Sequence, residues 1–550
     1  MALKHVNAVV IGAGAAGGIV AKELAVGGLS VALLERGQWY TTADCRKDEL
    51  RNQRTCILGN PFGPDDERNP RVAVDAQGRA RIVLPSEGNY QNNAACVGGG
   101  TVSYGAMAWR FMETDFRLRS TYGPVEGSTL ADWPIGYADL EPYYEKAEWE
   151  IGVSGDVTPD PFKAPRKKPL PMPALAGSRE TELLRAAAKR LGWHPFDVPM
   201  ARNTVPYNGR QPCMRCRWCV GFACEVDAKN GTQNTVIPTA LATGNCELRT
   251  ECMVKEILTD SWGRVRGVAY FDTRDRLQEQ TTDVVVVSAA AVESARLLLN
   301  SKSRLHLNGL GNRHDWVGRN LQGHSYPRVA GLFDIDLYDD LGPGAGIALC
   351  DFAHHNKAVV GGAMMTNEFM RSAIQFVAKV PPDVSRWGPE HKAFMRRAYR
   401  SHASVGGPVQ EMPVFDARVQ VDPEVKDYWG IPVARLSGGK HPHVIEVAKF
   451  IAEKCVVWLK EAGATKTWKS IPGTGLSGGQ HQAGTCRMGN DPKTSVVNRY
   501  CQVHDVDNLF VIDGSVNVNN GAFNPALTIM AVAYYACDHL LKTWKGTKFR

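Results

Sequence analysis

Residues 6–17 read Val-Asn-Ala-Val-Val-Ile-Gly-Ala-Gly-Ala-Ala-Gly, and this stretch decides the fold. The apolar run from Val6 to Ile11 is typical of a strand buried inside a sheet. A glycine-rich turn follows it, and a helix is predicted from about Ala15 to Val26. A second strand is predicted from Ser30 to Glu35. Strand, glycine turn, helix and strand in this order predict the first βαβ unit of a parallel α/β sheet.

The three glycines of this turn have the spacing of a dinucleotide-binding motif. Gly12 permits the tight turn, Gly14 lets the backbone approach a pyrophosphate, and Gly17 lets helix and strand pack closely. The pyrophosphate would lie at the helix N-terminus, where backbone amides point outward and the dipole is positive. Glu35 ends the second strand, where a carboxylate can accept hydrogen bonds from a ribose. The alternative is a purely structural glycine turn, and the motif does not separate NAD from FAD.

Length and composition narrow the class of protein. The 550 residues exceed one ordinary hydrophobic core, which stops growing at about 250–300 residues, so we expect two lobes or one large interleaved body. The hydrophobic fraction of 44% and the charged fraction of 22% are those of a globular protein. The net charge of +7 is spread without a long basic block, so nucleic acid is not an expected partner. The N-terminal residues lack the pattern of a secretory signal, and no run of about eighteen apolar residues predicts a membrane span.

Apolar patterning predicts further elements along the chain. From Glu251 to Val287 the pattern alternates as in a β-meander and ends in an unbroken apolar strand. From about Tyr326 to Leu436 alternation recurs in pieces, which predicts an antiparallel sheet in a second lobe. Residues 155–180 carry many prolines and few periodic apolar positions, which predicts a surface linker. The sheet pieces are Val329–Phe333, Val359–Met364 and Ala417–Val421; the other elements are helices over Val292–Leu299, His443–Ala462 and Ala526–Leu541 and a strand over Leu509–Ile512.

Two segments near the end of the chain carry residues suited to alcohol chemistry. His481 begins the stretch His-Gln-Ala-Gly-Thr-Cys-Arg-Met-Gly, and Asn524 lies on a Gly/Pro-rich turn that opens a helix. Such a histidine and asparagine can converge on one substrate hydroxyl, and imidazole suits a general base because its ordinary pKa lies near neutrality. Taken separately, the two residues also fit a loop histidine and a helix cap.

Together with the N-terminus, these segments resemble the glucose-methanol-choline (GMC) oxidoreductase family over most of the chain. The resemblance implies an α/β fold in which a Rossmann-like FAD-binding domain is interleaved with an α+β substrate domain built on an antiparallel sheet. The matching segments are Asn93–Tyr104, Asp132–Ile135, Glu141–Tyr144, Val317–Leu321, Asp422–Asp427, Leu509–Ser515 and Asn524–Thr528. The implied division is an FAD-binding domain over 1–160, 236–319 and 473–550, a substrate domain over 320–472, a linker or surface excursion over 161–210 and a cysteine segment over 211–235.

The resemblance also implies roles for single residues. FAD would be the cofactor, and His481 would take the proton of the substrate hydroxyl while a hydride passes from carbon to the flavin. Asn524 would hydrogen-bond the same oxygen, and Asp513 would lie against the flavin. The predicted cofactor contacts are Gly12, Gly14, Ala15, Ala16, Gly17, Glu35, Arg36, Gly98, Gly99, Gly100, Thr101, Val254, Asp513, Gly514, Asn524 and Pro525.

Four of the fourteen cysteines cluster at Cys213, Cys216, Cys219 and Cys224. The Cys-x₂-Cys-x₂-Cys spacing is that of ferredoxin-type iron–sulfur ligation, although the fourth cysteine follows after four residues and no proline follows it. A structural Cys₄ zinc site more often has two separated Cys-x₂-Cys pairs. Disulfides between such near neighbours would gain little from loop closure. An iron–sulfur cluster is therefore favoured, with zinc, disulfides and free thiols as alternatives.

The cysteine segment, with Ala228–Asn234 after it, resembles the catalytic subunits of flavin-dependent sugar dehydrogenases, above all glucoside 3-dehydrogenase. The resemblance implies a three- or four-iron cluster that passes electrons from reduced FAD to cytochrome c or a quinone. It implies a small partner subunit carrying the export signal, and hence a periplasmic location; without that partner the chain is expected in the cytoplasm. The predicted reaction is oxidation of a secondary hydroxyl, favoured at C3, of a glucoside or pyranose. The alternatives are a GMC sugar oxidase that makes hydrogen peroxide and a flavin- and zinc-binding protein without turnover.

Overall fold

The structure is a computed structural model that describes residues 4–44, 48, 62–91, 94–156, 162–368, 373–476 and 481–545. The strands are β1 Val6–Ile11, β2 Val31–Leu34, β3 Arg71–Val74, β4 Ala80–Val83, β5 Phe196–Asp197, β6 Cys246–Arg249, β7 Met253–Thr259, β8 Val265–Phe271, β9 Leu277–Val287, β10 Arg328–Leu332, β11 Ile347–Leu349, β12 Met365–Asn367, β13 His402–Gly406, β14 Arg418–Lys426, β15 Pro432–Ser437, β16 Lys466–Ser470 and β17 Leu509–Val511. The helices are α1 Ala15–Val26, α2 Gly100–Ser103, α3 Leu118–Tyr122, α4 Tyr137–Ile151, α5 Arg179–Arg190, α6 Val236–Ala242, α7 Ala290–Asn300, α8 Ala373–Phe376, α9 Gly388–Ala398, α10 His443–Glu461 and α11 Ala526–Lys545. Within these described ranges, no helix combines the length and the apolar character needed to cross a membrane.

A seven-stranded sheet carries the glycine-rich turn. Its strands lie in the order β6-β2-β1-β9-β8-β7, with β17 paired to β9. β1 pairs in parallel with both β2 and β9, and the four residues of β2 are all buried, as its continuous apolar sequence predicts. β7, β8 and β9 form the predicted antiparallel meander. The strand, helix and sheet order predicted for the N-terminus is confirmed.

A six-stranded antiparallel sheet forms the second layer, in the order β16-β10-β13-β12-β11-β5. Alternate residues such as Val329 and Val405 are buried against α10 in one apolar cluster. Their neighbours in the same strands, such as Ala330 and Ser404, lie on the opposite face and line a cavity. This two-sided sheet confirms the predicted antiparallel second layer. The predicted strand at Val359–Met364 is wrong, since the strand of this region is β12.

A third sheet of four strands, β14-β15-β3-β4, packs beside α7. The predicted strand at Ala417–Val421 corresponds to β14, which pairs with β15 rather than with the strands of the second layer. Its assignment to the second-layer sheet is therefore wrong. Alternation of apolar residues predicts a half-buried strand but carries no information on which strand pairs with it.

Residues 161–210, predicted as a linker or surface excursion, contribute regular structure to the second layer. Helix α5 packs against α10 and buries Leu184 and Ala187, while β5 forms the edge of the six-stranded sheet. The Trp458 side chain on α10 is fully buried, and its indole N–H donates to the backbone oxygen of Leu184 at 2.9 Å. For these residues the linker prediction is wrong, because their apolar face is covered by α10.

Substitution of Trp458 by alanine is expected to lower the free energy of unfolding by about 3–5 kcal/mol. The change removes a fully buried ring and the hydrogen bond that it donates to the backbone oxygen of Leu184. Guanidinium unfolding followed by circular dichroism measures the loss. Trp262 is 83% exposed, so Trp262→Ala is the matched control and should shift stability by no more than about 0.5 kcal/mol. Equal stability of the two variants would contradict the docking of α5 on α10.

Candidate active site

A cavity of about 940 Å³ lies between the seven-stranded sheet and the second layer. It extends from the glycine-rich turn and Glu35 at one end to His481 and Asn524 at the other. The open face of the six-stranded sheet forms one wall. Its size is that of a site for a cofactor or another large ligand, for which volumes of about 300–1,000 Å³ are typical.

The glycine-rich turn is shaped by contacts that exclude side chains. A Cβ atom on Gly17 would lie 1.8 Å from the backbone oxygen of Gly12, so helix α1 approaches β1 more closely than any other residue allows. Gly12 has a φ of +99° and faces the backbone of Ser288. Gly14 differs from both, because a Cβ there would meet only the Cα of Gly99, at 4.0 Å. Its Cβ position therefore points into open space beside the cavity.

Glu35 and the Gly98–Thr101 turn hold this region together. The Glu35 carboxylate accepts the backbone N–H of Ala13 at 2.8 Å and that of Gly37 at 3.0 Å. The N–H of Gly98 donates to the backbone oxygen of Ala13 at 2.8 Å. Burial raises the pKa of Glu35, and its backbone hydrogen bonds oppose the rise.

Most of the residues predicted to contact the cofactor line this one cavity. Two do not: Gly17 lies in the packing between α1 and β1, and Gly98 lies behind the turn. Asn93, the first residue of the matching segment, lies outside the described residues. The predicted residues that line the cavity are Gly12, Gly14, Ala15, Ala16, Glu35, Arg36, Gly99, Gly100, Thr101, Val254, Asp513, Gly514, Asn524 and Pro525.

Asp513 follows β17 and lies at the start of α7. Its carboxylate accepts hydrogen bonds from the backbone N–H of Ala290 at 3.0 Å and of Ser515 at 2.8 Å, and from the hydroxyl of Ser294. Burial raises the pKa of Asp513, while these donors oppose the rise. The carboxylate thus fixes the turn that carries Gly514 into the cavity wall.

A buried ionic cluster lies at the end of the cavity that contains the glycine-rich turn. Glu293 on α7 contacts Arg71 at 2.5 Å, Arg296 at 3.2 Å and Arg36 at 3.8 Å. Arg296 also contacts Asp427 at 2.5 Å, which ties α7 to the segment before β15. Burial opposes ionisation of Glu293, yet the nearby guanidinium groups, with Arg71 first, hold its pKa well below the ordinary range.

Glu293→Gln is expected to destabilise the protein by about 3–5 kcal/mol near neutral pH, because the buried guanidinium groups lose their shared carboxylate. Since the pKa of Glu293 is lowered on folding, its contribution is present above the ordinary value of 4.5 and is lost as pH falls below it. In urea unfolding at several pH values, the free energy of unfolding of the variant should therefore fall less steeply below the ordinary pKa of glutamate than that of the wild type. Glu279→Gln at the exposed Arg266 pair is the control and should change little. If the stability of the variant fell with decreasing pH as steeply as that of the wild type, the stabilising role of the Glu293 carboxylate would be contradicted.

The other end of the cavity brings four side chains of the C-terminal half together. The His481 Nε2 atom lies 3.3 Å from the Asn524 side-chain nitrogen. The His481 Nδ1 atom lies 2.8 Å from Nδ1 of His324 and 3.1 Å from the Tyr326 hydroxyl. The Asn524 Oδ1 atom is buried and has no hydrogen-bond partner among the described residues. The predicted pair of His481 and Asn524 is therefore adjacent in space.

His324 and Tyr326 are functional candidates that sequence reasoning did not assign. Both lie in the segment just before β10, and Tyr326 lines the cavity. His324 is 3% exposed, and its Nε2 atom lies 3.0 Å from the backbone oxygen of Gly521. Burial lowers the pKa of His324, while that hydrogen bond and the Glu411 carboxylate oppose the shift. The signal available in the sequence was a histidine next to the Val317–Leu321 segment, without any indication of what it contacts.

The cysteine segment lies next to the cavity but does not form a metal site. Val220 and Gly221 line the cavity, and Lys229 fixes the loop by donating to the backbone oxygens of Cys219 and Phe222, both at 2.6 Å. Burial raises the pKa of the Cys219 thiol. Among the residues that the structure describes, no group of three or more His, Cys, Asp or Glu side chains could hold a metal ion.

Among the described residues, the predicted ligands Cys213, Cys216, Cys219 and Cys224 form neither disulfides nor a closed ligand set. The prediction of an iron–sulfur cluster is therefore not supported by the arrangement of these side chains. Short sequence spacing brings the thiols into one loop, but their directions depend on the φ and ψ angles of that loop. One of these angles is unusual, since Arg215, within the loop, has a positive φ of 59°.

Comparison with protein families decides the identity of the fold. The N-terminal GMC oxidoreductase model matches residues 8–326, and the C-terminal one matches residues 413–533. The chain belongs to the GMC oxidoreductase family. The predicted family and fold are thereby confirmed, and the chain is an oxidoreductase that acts on CH–OH groups. Family membership supports FAD as the cofactor. The residues present fit it, because Gly14 has no side chain and so leaves space beside the turn for a pyrophosphate, which even a single Cβ would begin to fill.

Similar GMC oxidoreductases act on several hydroxylated compounds. The chain is 31% identical to 2-methyl-1,2-propanediol dehydrogenase of Mycolicibacterium austroafricanum, over 97% of this chain and 95% of that protein. It is 29% identical to the gluconate 2-dehydrogenase flavoprotein of Pantoea cypripedii, over 97% of this chain and 93% of that protein. Among solved structures, pyridoxine 4-oxidase from Mesorbium loti has a TM-score of 0.64 with 18% identity, over 97% of this chain and 98% of that one. At this level of identity, the similarity to pyridoxine 4-oxidase shows a shared fold and nothing about the substrate.

Proposed function

We propose that this GMC oxidoreductase is an FAD-dependent dehydrogenase that oxidises a secondary hydroxyl of a glucoside or other pyranose, favoured at C3, to a keto sugar. The observation that carries the proposal is the pairing of His481 and Asn524 at the inner end of the cavity, with the Oδ1 atom of Asn524 left without a partner among the described residues. A substrate hydroxyl placed between these side chains meets a proton acceptor and a fixed amide.

The chain's own residues supply proton transfer and orientation. His481 takes the hydroxyl proton at Nε2, the ring nitrogen that faces Asn524. The Asn524 side chain holds the substrate oxygen and thereby fixes which carbon–hydrogen bond faces the cofactor. FAD, when bound, supplies the acceptor for the hydride. Asp513 and the Gly98–Thr101 turn hold the wall of the cavity on which the cofactor is proposed to lie.

A polyhydroxylated substrate fits the wall formed by the six-stranded sheet. The cavity face of this sheet carries small hydroxyl side chains at Thr366, Ser404 and Ser470, beside the ring of Trp468. The hydroxyl of Ser404 is buried and has no hydrogen-bond partner among the described residues. Such a wall supplies donors and acceptors for several sugar hydroxyls and one aromatic surface for a ring. The gluconate 2-dehydrogenase relative, which is named for a polyhydroxylated acid, supports the same class.

The proposed electron acceptor is a cytochrome or a quinone, and the proposed exit side is the cysteine segment. Val220 and Gly221 bring this segment to the cavity wall. Met214, within this segment, is 62% exposed, and Val205, shortly before it in the chain, is 40% exposed. Exposed apolar side chains beside a redox site favour docking of a partner protein. A small subunit with an export signal, and hence a periplasmic location, remain part of this proposal.

The direct experiment is anaerobic titration of the holoenzyme with methyl glucosides, free pyranoses and gluconate, followed by bleaching of the flavin absorbance. The expected result is bleaching by a glucoside or pyranose, with nuclear magnetic resonance of the product showing a carbonyl at C3. Bleaching only by simple diols or by gluconate would overturn the proposed substrate class. No bleaching by any hydroxylated compound would overturn the proposed reaction.

A second experiment distinguishes a dehydrogenase from an oxidase. The substrate found above is mixed with the enzyme and either cytochrome c, a soluble quinone or oxygen. Rapid reduction of cytochrome c or quinone with little hydrogen peroxide is expected, and rapid peroxide formation would overturn the dehydrogenase assignment. Iron bound stoichiometrically and lost in Cys216→Ser would restore the iron–sulfur interpretation that the thiol arrangement does not support.

A further inference from the structure

His324 is buried directly behind His481, on the side away from Asn524. It lies between two fixed groups, with its Nδ1 atom 2.8 Å from Nδ1 of His481 and its Nε2 atom 3.0 Å from the backbone oxygen of Gly521. Its residual exposure is 3%, and the ring also makes a backbone hydrogen bond with Asn520, next to Gly521 in the chain. The ring therefore bridges the proposed catalytic residue and the backbone of the loop before α11.

These contacts determine which ring nitrogens carry protons. The Gly521 carbonyl is only an acceptor, so Nε2 of His324 is the donor in that bond. In a neutral imidazole the other nitrogen is then bare, and Nδ1 of His324 is an acceptor. The proton in the 2.8 Å contact must come from His481, which therefore carries it on Nδ1. Nε2 of His481 then carries no proton, and it faces Asn524 and the cavity.

The surroundings favour the neutral form of His324. Burial is the largest influence on its pKa and lowers it, while the Glu411 and Asp115 carboxylates act in the opposite direction. Each of these carboxylates already accepts other hydrogen bonds: Glu411 from the Ser325 hydroxyl at 2.8 Å, and Asp115 from His354 at 3.0 Å. The Tyr326 hydroxyl lies 3.1 Å from Nδ1 of His481, and its ring meets the His324 ring edge-on, with centroids 6.5 Å apart. No described contact places a carboxylate oxygen on either ring nitrogen of His324.

We propose that His324 is a positioning residue that holds His481 in the Nδ1–H tautomer, so that Nε2 is the proton acceptor for the substrate hydroxyl. This role rests on the proposed function of His481 as the base. A neutral partner differs from the carboxylate of a Ser-His-Asp triad, because it orients the imidazole without adding negative charge that would stabilise the imidazolium.

The matched variants are His324→Asn, His324→Gln and His324→Leu. The δ oxygen of asparagine can accept the His481 proton in place of Nδ1, whereas glutamine places its amide nitrogen where Nε2 donates to Gly521 and leaves His481 without its acceptor. We expect flavin reduction in His324→Leu and His324→Gln to slow by about 10²-fold or more, and in His324→Asn by less than about tenfold. The substrate dissociation constant should change little. In the slow variants, the rate of flavin reduction should depend on pH differently from the wild type.

The control is His402→Leu. His402 is a buried histidine on β13 that hydrogen-bonds backbone oxygens and makes no described contact with His481, so its loss should leave flavin reduction near the wild-type rate. A wild-type rate in His324→Leu overturns the inference. It is also overturned if the asparagine and glutamine variants are equally slow while retaining FAD, because a purely structural role would not distinguish them.

A second measurement needs neither substrate nor a folded variant at position 324. Long-range ¹H–¹⁵N spectra of the holoenzyme labelled at histidine report which ring nitrogen is protonated, and loss of one set of signals in His481→Asn assigns His481. The expected pattern is a protonated Nδ1 and a bare Nε2 at neutral pH. The opposite tautomer overturns the inference, even if a sugar reduces the flavin. The expected tautomer in a protein that no sugar reduces would uphold the inference and overturn only the proposed substrate.

Discussion

Replacement of His481 by asparagine is expected to lower the rate constant of flavin reduction by substrate about 10²–10⁴-fold, because the substrate hydroxyl loses its proton acceptor. Asparagine is the suitable replacement, since His481 has a φ of 60° and asparagine tolerates this left-handed backbone better than most residues. FAD content and substrate affinity should remain close to wild type. Anaerobic stopped-flow measurement of flavin bleaching reports the effect directly.

His504→Asn is the matched control for this change. His504 lies in the same C-terminal segment, forms a hydrogen bond with Ser495 at 2.9 Å and does not line the cavity. Its variant should reduce the flavin at close to the wild-type rate. If His481→Asn retained the wild-type rate, another group would have to take the hydroxyl proton, and the proposed chemistry of the site would be wrong.

Substitutions at two glycines of the dinucleotide-binding motif are expected to have different effects. Gly14→Val should fold but raise the dissociation constant of FAD about a hundredfold or more, equivalent to about 2.8 kcal/mol. Its side chain has only the Cα of Gly99 nearby, at 4.0 Å, and therefore grows into the space proposed for the pyrophosphate. Gly17→Ala should impair folding itself, because its Cβ would lie 1.8 Å from the backbone oxygen of Gly12.

The two outcomes are separated by measuring flavin retention and thermal unfolding of both variants. Gly88→Val is the control, since a Cβ at Gly88 has no neighbour within 4 Å and Gly88 does not line the cavity. A Gly14→Val protein that kept FAD with unchanged affinity would place the cofactor elsewhere. A Gly17→Ala protein of wild-type stability would contradict the close packing of α1 on β1.

Local patterns predicted the elements that depend on near neighbours in the chain. The bounds of β1 and α1 match the prediction, because a buried apolar run, a glycine turn and a helix are all specified within about twenty residues. The same reasoning failed for Ala417–Val421. Its alternating residues form a strand, but the strand belongs to the third sheet, and pairing between distant strands leaves no mark in either sequence.

The sequence by itself determined the nucleotide-binding motif, the family and the candidate pair of His481 and Asn524, since each of these depends on residue types within short segments. Only the tertiary structure decided that the pair meets, with His481 and Asn524 separated by 43 positions. It also decided that His324, 157 positions before His481, lies directly behind it, and that the four cysteines form no closed ligand set. The physical reason is the same in each case. Hydrogen bonds and ligand sets require side chains to converge within about 3 Å, and convergence depends on how strands and loops pack rather than on sequence spacing.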